Sequence, residues 1–178
     1  MSDNEADIRL MLGVKARDPR AFESLYESYH TRILNYFFRM CWDRAAAEDL
    51  LQEVFLRVWK AGTGYEPTGK VSAYIFKVAH NVWLNEREKK RPRLFSSLER
   101  RGDGDPESSP LEFTGHEEAP DSAALREELR REVRSAIETL SEKERAVLLL
   151  SEFENFKYQE IAEILAIPVG TVKSRMAH

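Results

Sequence analysis

Residues 158–178 read YQEIAEILAIPVGTVKSRMAH, and the fold turns on this stretch. Ile161, Ala162 and Leu165 share one stripe of a short helix, Pro168 punctuates a tight turn, and Val172 and Met176 give a second helix a buried edge. The pattern is a helix-turn-helix. It leaves Thr171, Lys173, Ser174, Arg175 and His178 facing outward, short polar and cationic groups suited to phosphate oxygens and to base edges in a major groove. A small helical hairpin with a solvated face would show the same stripe, so the upstream sequence has to decide.

Upstream, 178 residues with 42% hydrophobic and 33% charged side chains describe a globular chain rich in amphipathic helix. No apolar run approaches the ~18 residues of a membrane span, and the acidic start MSDNEADIRLML lacks the cationic opening of a secretory signal. A cytoplasmic protein with no membrane insertion of its own is expected. Cys41 is the single cysteine, which excludes an internal disulfide. The net charge of −4 is unexpected for a DNA-binding chain, because phosphate neutralisation supplies most non-specific affinity. The cations are, however, clustered: Arg87, Lys89, Lys90, Arg91 and Arg93 surround the lone Glu88, and acids dominate from Glu99 to Asp121. Such a run is also what a solvated helix end looks like.

Glycine, proline and serine crowd the acidic stretch and apolar periodicity stops there, so 96–121 reads as a flexible linker between two all-α domains, 5–95 and 122–178. In the first, Asp18-Pro19 predicts a capped helix carrying Phe22, Leu25, Tyr26, Tyr29, Ile33, Tyr36, Phe37 and Met40 at three- and four-residue spacing. Asp43 predicts the cap of a helix over 44–60 with Leu51, Val54, Phe55 and Val58 inward. Ser72 predicts the cap of a helix over 71–91 with Val71, Tyr74, Ile75, Val78, Ala79 and Val82 inward. In the second, Leu125, Leu129, Val133, Ala136, Ile137 and Leu140 form an amphipathic segment, and Ser141-Glu142-Lys143-Glu144 fits a capping box. Ala146, Val147, Leu149, Leu150 and Phe153 continue its core. No strand or internal repeat is expected.

Two surfaces carry candidate chemistry. The outer face of 44–60 aligns Asp49, Gln52, Glu53 and Leu56, with Trp59 adjoining, a mixed acidic and apolar stripe that a helical partner rich in arginine could grip. The glycine-rich loop 61–70 and the helix after it offer π-faces (Tyr65, Tyr74, Phe76, Trp83) and donors (Lys70, Lys77, His80, Asn81). Single-stranded nucleic acid is held by that combination, at roughly 1–3 kcal/mol per stacked base. Equally, Tyr74 could be core and the rest ordinary surface.

Taken together, DLLQEVFLRVW (49–59), SAYIFKVAHNVWLNEREKKR (72–91), the acidic linker and YQEIAEILAIPVGTVKSR (158–175) resemble an extracytoplasmic-function (ECF, group 4) sigma factor of bacterial RNA polymerase over 18–93 and 122–178. The resemblance implies a sigma-2-like domain over 5–95 for polymerase binding and minus-ten recognition and melting. It implies a sigma-4-like helix-turn-helix domain over 122–178 for the minus-thirty-five element. Helix 44–60 would dock on the clamp helices of the polymerase's largest subunit through Asp49, Gln52, Glu53 and Leu56. The loop 61–70 and helix 71–91 would capture an extruded base, with Asn81 standing where the family's Ala-Arg-Asn run has its asparagine. Lys70, Lys77, His80, Arg87, Lys89, Lys90 and Arg91 complete that minus-ten surface. Thr171, Lys173, Ser174, Arg175 and His178 would read the minus-thirty-five element, with the amides near Gly170 and Thr171 receiving a phosphate.

The implied function is promoter-specific transcription initiation, with core RNA polymerase, promoter DNA and an anti-sigma factor as partners. That anti-sigma factor would hold the chain inactive until a stress signal, and at the inner membrane if it is membrane-bound. No catalytic residue, cofactor or metal is implied. Tyr74 replaces the family's usual tryptophan, and Ala177 and His178 stand where a larger residue and an arginine are usual. The sequence stops where the family's last helix continues, so the second domain reads as C-terminally truncated. Two other readings compete. A stand-alone helix-turn-helix regulator would bind duplex as a dimer, but no dimer seam is evident. A di-iron bundle would use Glu27 and His30, but needs a second ExxH motif that the chain lacks.

Overall fold

Asp18 does begin a helix: its carboxylate accepts from the Arg20 amide at 2.9 Å, and Pro19 takes the first helical position, where no N–H is needed. In the computed structural model, which describes residues 3–90 and 120–177, this helix is α2 (Pro19–Cys41). Before it lies α1 (Asp3–Lys15), and after it come α3 (Arg44–Ala61), a 3₁₀ turn at Gly62–Gly64 and α4 (Val71–Lys90). The second half contains α5 (Pro120–Thr139), α6 (Glu142–Leu148) running into a π-helical turn at Leu149–Phe153, α7 (Tyr158–Leu165) and α8 (Val169–Ala177). The described residues are all helix and connection, with no strand.

Asp43 caps α3 as expected, accepting from the Ala46 amide at 3.0 Å, and Ser141 and Glu144 close the capping box at the start of α6. Ser72 does not cap α4. The helix starts one residue earlier, and the Val71 amide is satisfied by the Asn4 side chain at 3.0 Å, reaching over from α1. That bond is one of several that draw α1 into the core. Met11 and Val14 are fully buried, Lys15 donates to the Tyr65 carbonyl at 2.9 Å, and Tyr29 donates from its hydroxyl to Asp7. α1 crosses α2 at Gly13, where a Cβ would lie 2.4 Å from that of Ala21, so only glycine allows the approach.

Three expectations about packing need correcting. Among the described side chains of the α5 stripe, only Ile137 is buried; Leu129 is 57% and Val133 44% exposed, because no described element covers that face. Tyr26, counted with the α2 core, is 38% exposed. The third concerns the two halves, read above as two domains joined by the linker 96–121. They instead share one hydrophobic core, in which α4 packs on α7 and α2 on α6. The greater part of 96–121 lies outside the described residues, although α5 already begins at Pro120.

Arg145 on α6 fastens the halves at a second point. Its guanidinium donates to the Met40 carbonyl at the end of α2 (2.9 Å) and to Ile137, Glu138 and Leu140 at the end of α5 (3.1–3.2 Å). One cation thus answers the orphan carbonyls of two helix C-termini, where the helix dipoles also favour positive charge. Replacing it with Arg145→Met keeps the stem but removes these donors. Chemical denaturation is expected to show a loss of about 1–3 kcal/mol, and an unchanged midpoint would mean that water serves those carbonyls equally well.

Candidate nucleic-acid interface

The stiff cap at Asp43 sets the rotation of α3, and with it an outward face on which Asp49, Gln52 and Leu56 are exposed, Leu56 by 51%. Glu53 is half-buried and paired with Arg57 one turn on at 2.7 Å. Trp59 does not join this face. It turns inward, 5.0 Å from the Phe22 ring, and carries the Arg17 guanidinium over its plane. Asp49 and Glu53 form one wall of a cleft of about 610 Å³; Arg87 and Lys89 of α4 stand across it, with Glu142 and Arg145 of the second half at its edge.

On α4 and at Lys70 just before it, the expected minus-ten residues separate into two groups. Lys77 and Asn81 are exposed, and Asn81 opens onto a shallow groove of about 480 Å³ together with Val78. Arg57 and Lys60 line the same groove from α3. The sequence reading missed these two cations because more than twenty positions separate them from Asn81 and only the α3–α4 packing brings them together. The second group is engaged within the protein: Lys70 pairs with Glu160 at 2.7 Å, Arg87 with Glu142 at 3.0 Å, and Lys89 with Glu86 at 3.8 Å. The side chain of Lys90, and Arg91 altogether, lie outside the described residues.

The π-faces expected to stack on bases are not presented. Tyr65 is buried and meets the half-buried Tyr74 edge-on at 5.5 Å. Phe76 is wholly buried between Tyr36 and Phe156, and Trp83 is buried with its indole N–H donated to Glu142. An aromatic residue on an α4 edge reads from sequence as a platform; the second half covers that edge. His80 is also drawn in, its Nδ1 at 3.3 Å from the Tyr36 hydroxyl. Burial, helped by the nearby positive charge of Arg175, pushes the His80 pKa down from 6.5 to about 4, so the ring is neutral near pH 7 and offers no charge to a phosphate.

The helix-turn-helix forms as read. Ile161, Ala162 and Leu165 are buried, α7 ends at Ala166 in the left-handed region (φ 53°), and the Thr171 and Val172 amides fold back onto the Pro168 carbonyl. Lys173 and Ser174 are exposed, Thr171 and Arg175 half-buried, and Ser174 donates to the Thr171 carbonyl at 3.0 Å. His178 lies outside the described residues. Glu27 and His30 do not form a metal site: His30 Nδ1 lies 3.1 Å from the Glu27 carbonyl, its ring stacks on Tyr26, and no metal-ligating cluster occurs among the described residues.

Comparison with known proteins follows the same division. Residues 25–93 match the family model described as Sigma-70 region 2, and residues 130–178 the model described as Sigma-70, region 4. The RNA polymerase sigma-H factor of Pseudomonas aeruginosa is 31% identical over 99% of this chain and 91% of its own length. The ECF RNA polymerase sigma factor SigW of Bacillus subtilis is 31% identical over 92% of this chain and 87% of its own. Among solved structures, CnrH in complex with the cytosolic domain of CnrY has the same fold, with a TM-score of 0.67 at 20% identity over 97% of this chain and 90% of that one. So does the sigma factor RpoE in complex with the anti-sigma factor NepR from Bartonella quintana, with a TM-score of 0.62 at 18% identity over 88% and 89%.

The low pKa of His80 has a consequence for stability. A histidine at about 4 when folded and near 6.5 when unfolded supports the fold fully above pH 6.5 and progressively less as pH falls toward 4, because the unfolded chain then binds the extra proton. Denaturation at a series of pH values should show a loss on the order of 3 kcal/mol across that window, and His80→Gln should flatten it. An equally steep profile in the variant would assign the effect to carboxylates instead.

Proposed function

This chain belongs to the extracytoplasmic-function sigma factors of RNA polymerase, the initiation factors that direct the enzyme to promoters, and we propose that its tasks divide between the two halves. α1–α4 engage core polymerase and the minus-ten element, and α5–α8 read the minus-thirty-five element. The observation that carries this reading is the juxtaposition on α3 and α4. Asp49, Gln52, Glu53 and Leu56 lie on one side, and Asn81 lies on the other in a groove with Arg57 and Lys60.

A protein partner gains most from an apolar anchor ringed by charge, which Leu56 between Glu53 and Lys60 provides. A flipped base needs a polar reader on a surface that can also take the flanking phosphates. Asn81 carries an amide able to donate and accept, and Lys77, Arg57 and Lys60 are the cations nearest to it in sequence or groove. On α8, Lys173 and Ser174 project from the outer face, and Thr171 and Arg175 flank them. Arg91 completes the first surface on the strength of the family pattern, and His178 takes the place on the second where an arginine is usual.

The chain carries no catalytic step of its own, needs no cofactor, and works in the cytoplasm, where the polymerase and its template are; no helix among the described residues is long and apolar enough to cross a membrane. An anti-sigma factor is the inhibitory partner. RpoE of Bartonella quintana, which shares the fold, was solved with one, and the uncovered α5 face with Leu129 and Val133 offers apolar surface for it. A membrane-bound anti-sigma factor would hold the chain at the inner membrane. A stand-alone regulator would leave the α3 face without a task.

Two variants separate the roles. Asn81→Ala should lower open-complex formation at a cognate promoter about tenfold while leaving core-polymerase affinity unchanged. Glu53→Arg should weaken core binding by a similar factor and impair initiation only through that loss. Filter binding and promoter-opening assays with core enzyme read both; equal losses in both assays for both variants would refute the division.

A further inference from the structure

The loop between α3 and α4 has little to hold it in place from within. A Cβ added at Gly64 or Gly69 would meet nothing within 4 Å, and Thr63, Glu66, Pro67 and Thr68 are exposed. Support comes instead from α1 and the turn that follows it. The Arg17 guanidinium donates to the Trp59 carbonyl at 2.6 Å and lies over the ring of the same residue. Val14 fills the space beside Gly62, where a Cβ would come within 2.8 Å of the valine side chain. Lys15 donates from Nζ to the Tyr65 carbonyl at 2.9 Å, and the Asn4 side chain accepts from the Val71 amide. We infer that α1 is a brace for the base-reading loop, with Lys15 and Arg17 as positioning residues: they set the backbone path on which the extruded base of the minus-ten element is received. The inference rests on the assignment of the loop 61–70 and α4 to that element.

The backbone of Arg17 points the same way. It lies at φ 63°, the left-handed state in which glycine commonly closes a helix and a residue with a Cβ is strained. A turn selected for stability alone would hold glycine here. Arginine strains the turn, and what it adds is the side chain on Trp59. Trp59 lies in the last turn of α3, whose final carbonyls have no partner within the helix, so this cation fixes where α3 ends and the loop begins. Lys15 then fixes Tyr65 inside the loop, and Asn4 fixes the start of α4. The brace itself cannot slide, because Gly13 lies against Ala21 and Asp7 accepts from the Tyr29 hydroxyl.

Position matters here because Lys60 and Ala61, next to Trp59, line the groove onto which Asn81 opens. A shift at the end of α3 moves one wall of the base site. A loop that must be ordered at the moment of binding also loses part of the binding free energy to that ordering. Loosening the brace therefore weakens the contacts that distinguish one base from another, while contacts to phosphates, which every sequence offers, stay as they were. The signature is a loss of discrimination with the total affinity for single strands nearly kept. A defect of folding would lower the affinity for every sequence alike.

The test uses the full chain assembled with core polymerase and a pool of short single-stranded oligonucleotides randomised at every position. Bound strands are sequenced, and those captured by core polymerase alone are subtracted. The parent should enrich particular bases, and Asn81→Ala should lose that enrichment. Lys15→Met, which keeps the stem, and Arg17→Gly, which suits the left-handed backbone, should each lower it about threefold. Lys15→Arg should retain it, and total capture should stay close to that of the parent in all three. Hydrogen exchange of the free chain adds a reading without DNA or polymerase: the Tyr65 amide, bonded to the Gly62 carbonyl, should exchange about fivefold faster in Lys15→Met. Enrichment undiminished in Lys15→Met and Arg17→Gly, total capture that falls in step with enrichment, or Tyr65 exchange equal to the parent overturns the brace. A parent that enriches no base defeats the minus-ten reading on which the brace depends, whereas enrichment that both variants keep defeats the brace alone.

Discussion

Phe76 exposes no surface, and the ring that covers its outer side is Phe156, from the opposite half of the chain. Burying a phenylalanine contributes roughly 1.5–3 kcal/mol, and an edge-to-face partner about 0.5–1.5 kcal/mol more. That single contact places α7 against α4. The flanking carboxylates then fall on Arg32, Lys70 and Arg87, and the Arg39 guanidinium settles over the Phe153 ring at 4.3 Å. Glu154 shows how closely the seam is shut: burial raises its pKa, and the neighbouring Arg32 and Arg39 act against that rise. The π-helical turn at Leu149–Phe153 makes the contact possible, since its wider winding carries Phe153, Glu154 and Phe156 to the interface at the end of α6.

This arrangement gives the acidic net charge a physical role. A sigma factor with strong, permanently open DNA readers would be titrated by non-specific genomic sites. Here acids of the second half lie on cations of the first, so the free chain offers less positive charge to a duplex than its count of cations suggests. Two modest modules reach useful affinity when an enzyme holds them at the right spacing, because the second engagement is then intramolecular. Net charge over the whole chain conceals this; the pairing of individual charges across the seam determines it.

Local signals in the sequence were sufficient for local structure. Asp18-Pro19, Asp43, the Ser141–Glu144 box and the turn at Pro168 all act within four residues, and each forms as its residue types require. The placement of Asp49, Gln52, Leu56, Lys77 and Asn81 on outward faces follows from helical periodicity alone. Errors arose where a partner comes from far along the chain. Asn4 rather than Ser72 serves the start of α4, across a separation of sixty-seven positions. Phe76, Trp83 and His80 read as exposed because their cover, Phe156, Glu142 and α8, lies beyond the acidic stretch. α5 failed in the opposite sense: its stripe promises burial, and the described structure supplies nothing to bury it against. Amphipathicity reports a need for a partner, and the partner need not belong to the same chain.

Whether the two halves share one core in solution can be measured directly by differential scanning calorimetry of the full chain. A shared core requires one transition whose calorimetric enthalpy equals its van't Hoff enthalpy, because neither half can melt without uncovering Phe76 and Phe156. A calorimetric enthalpy well above the van't Hoff value, or two resolved transitions assignable to residues 3–90 and 120–177, would mean that the halves unfold independently and that the seam does not hold them together.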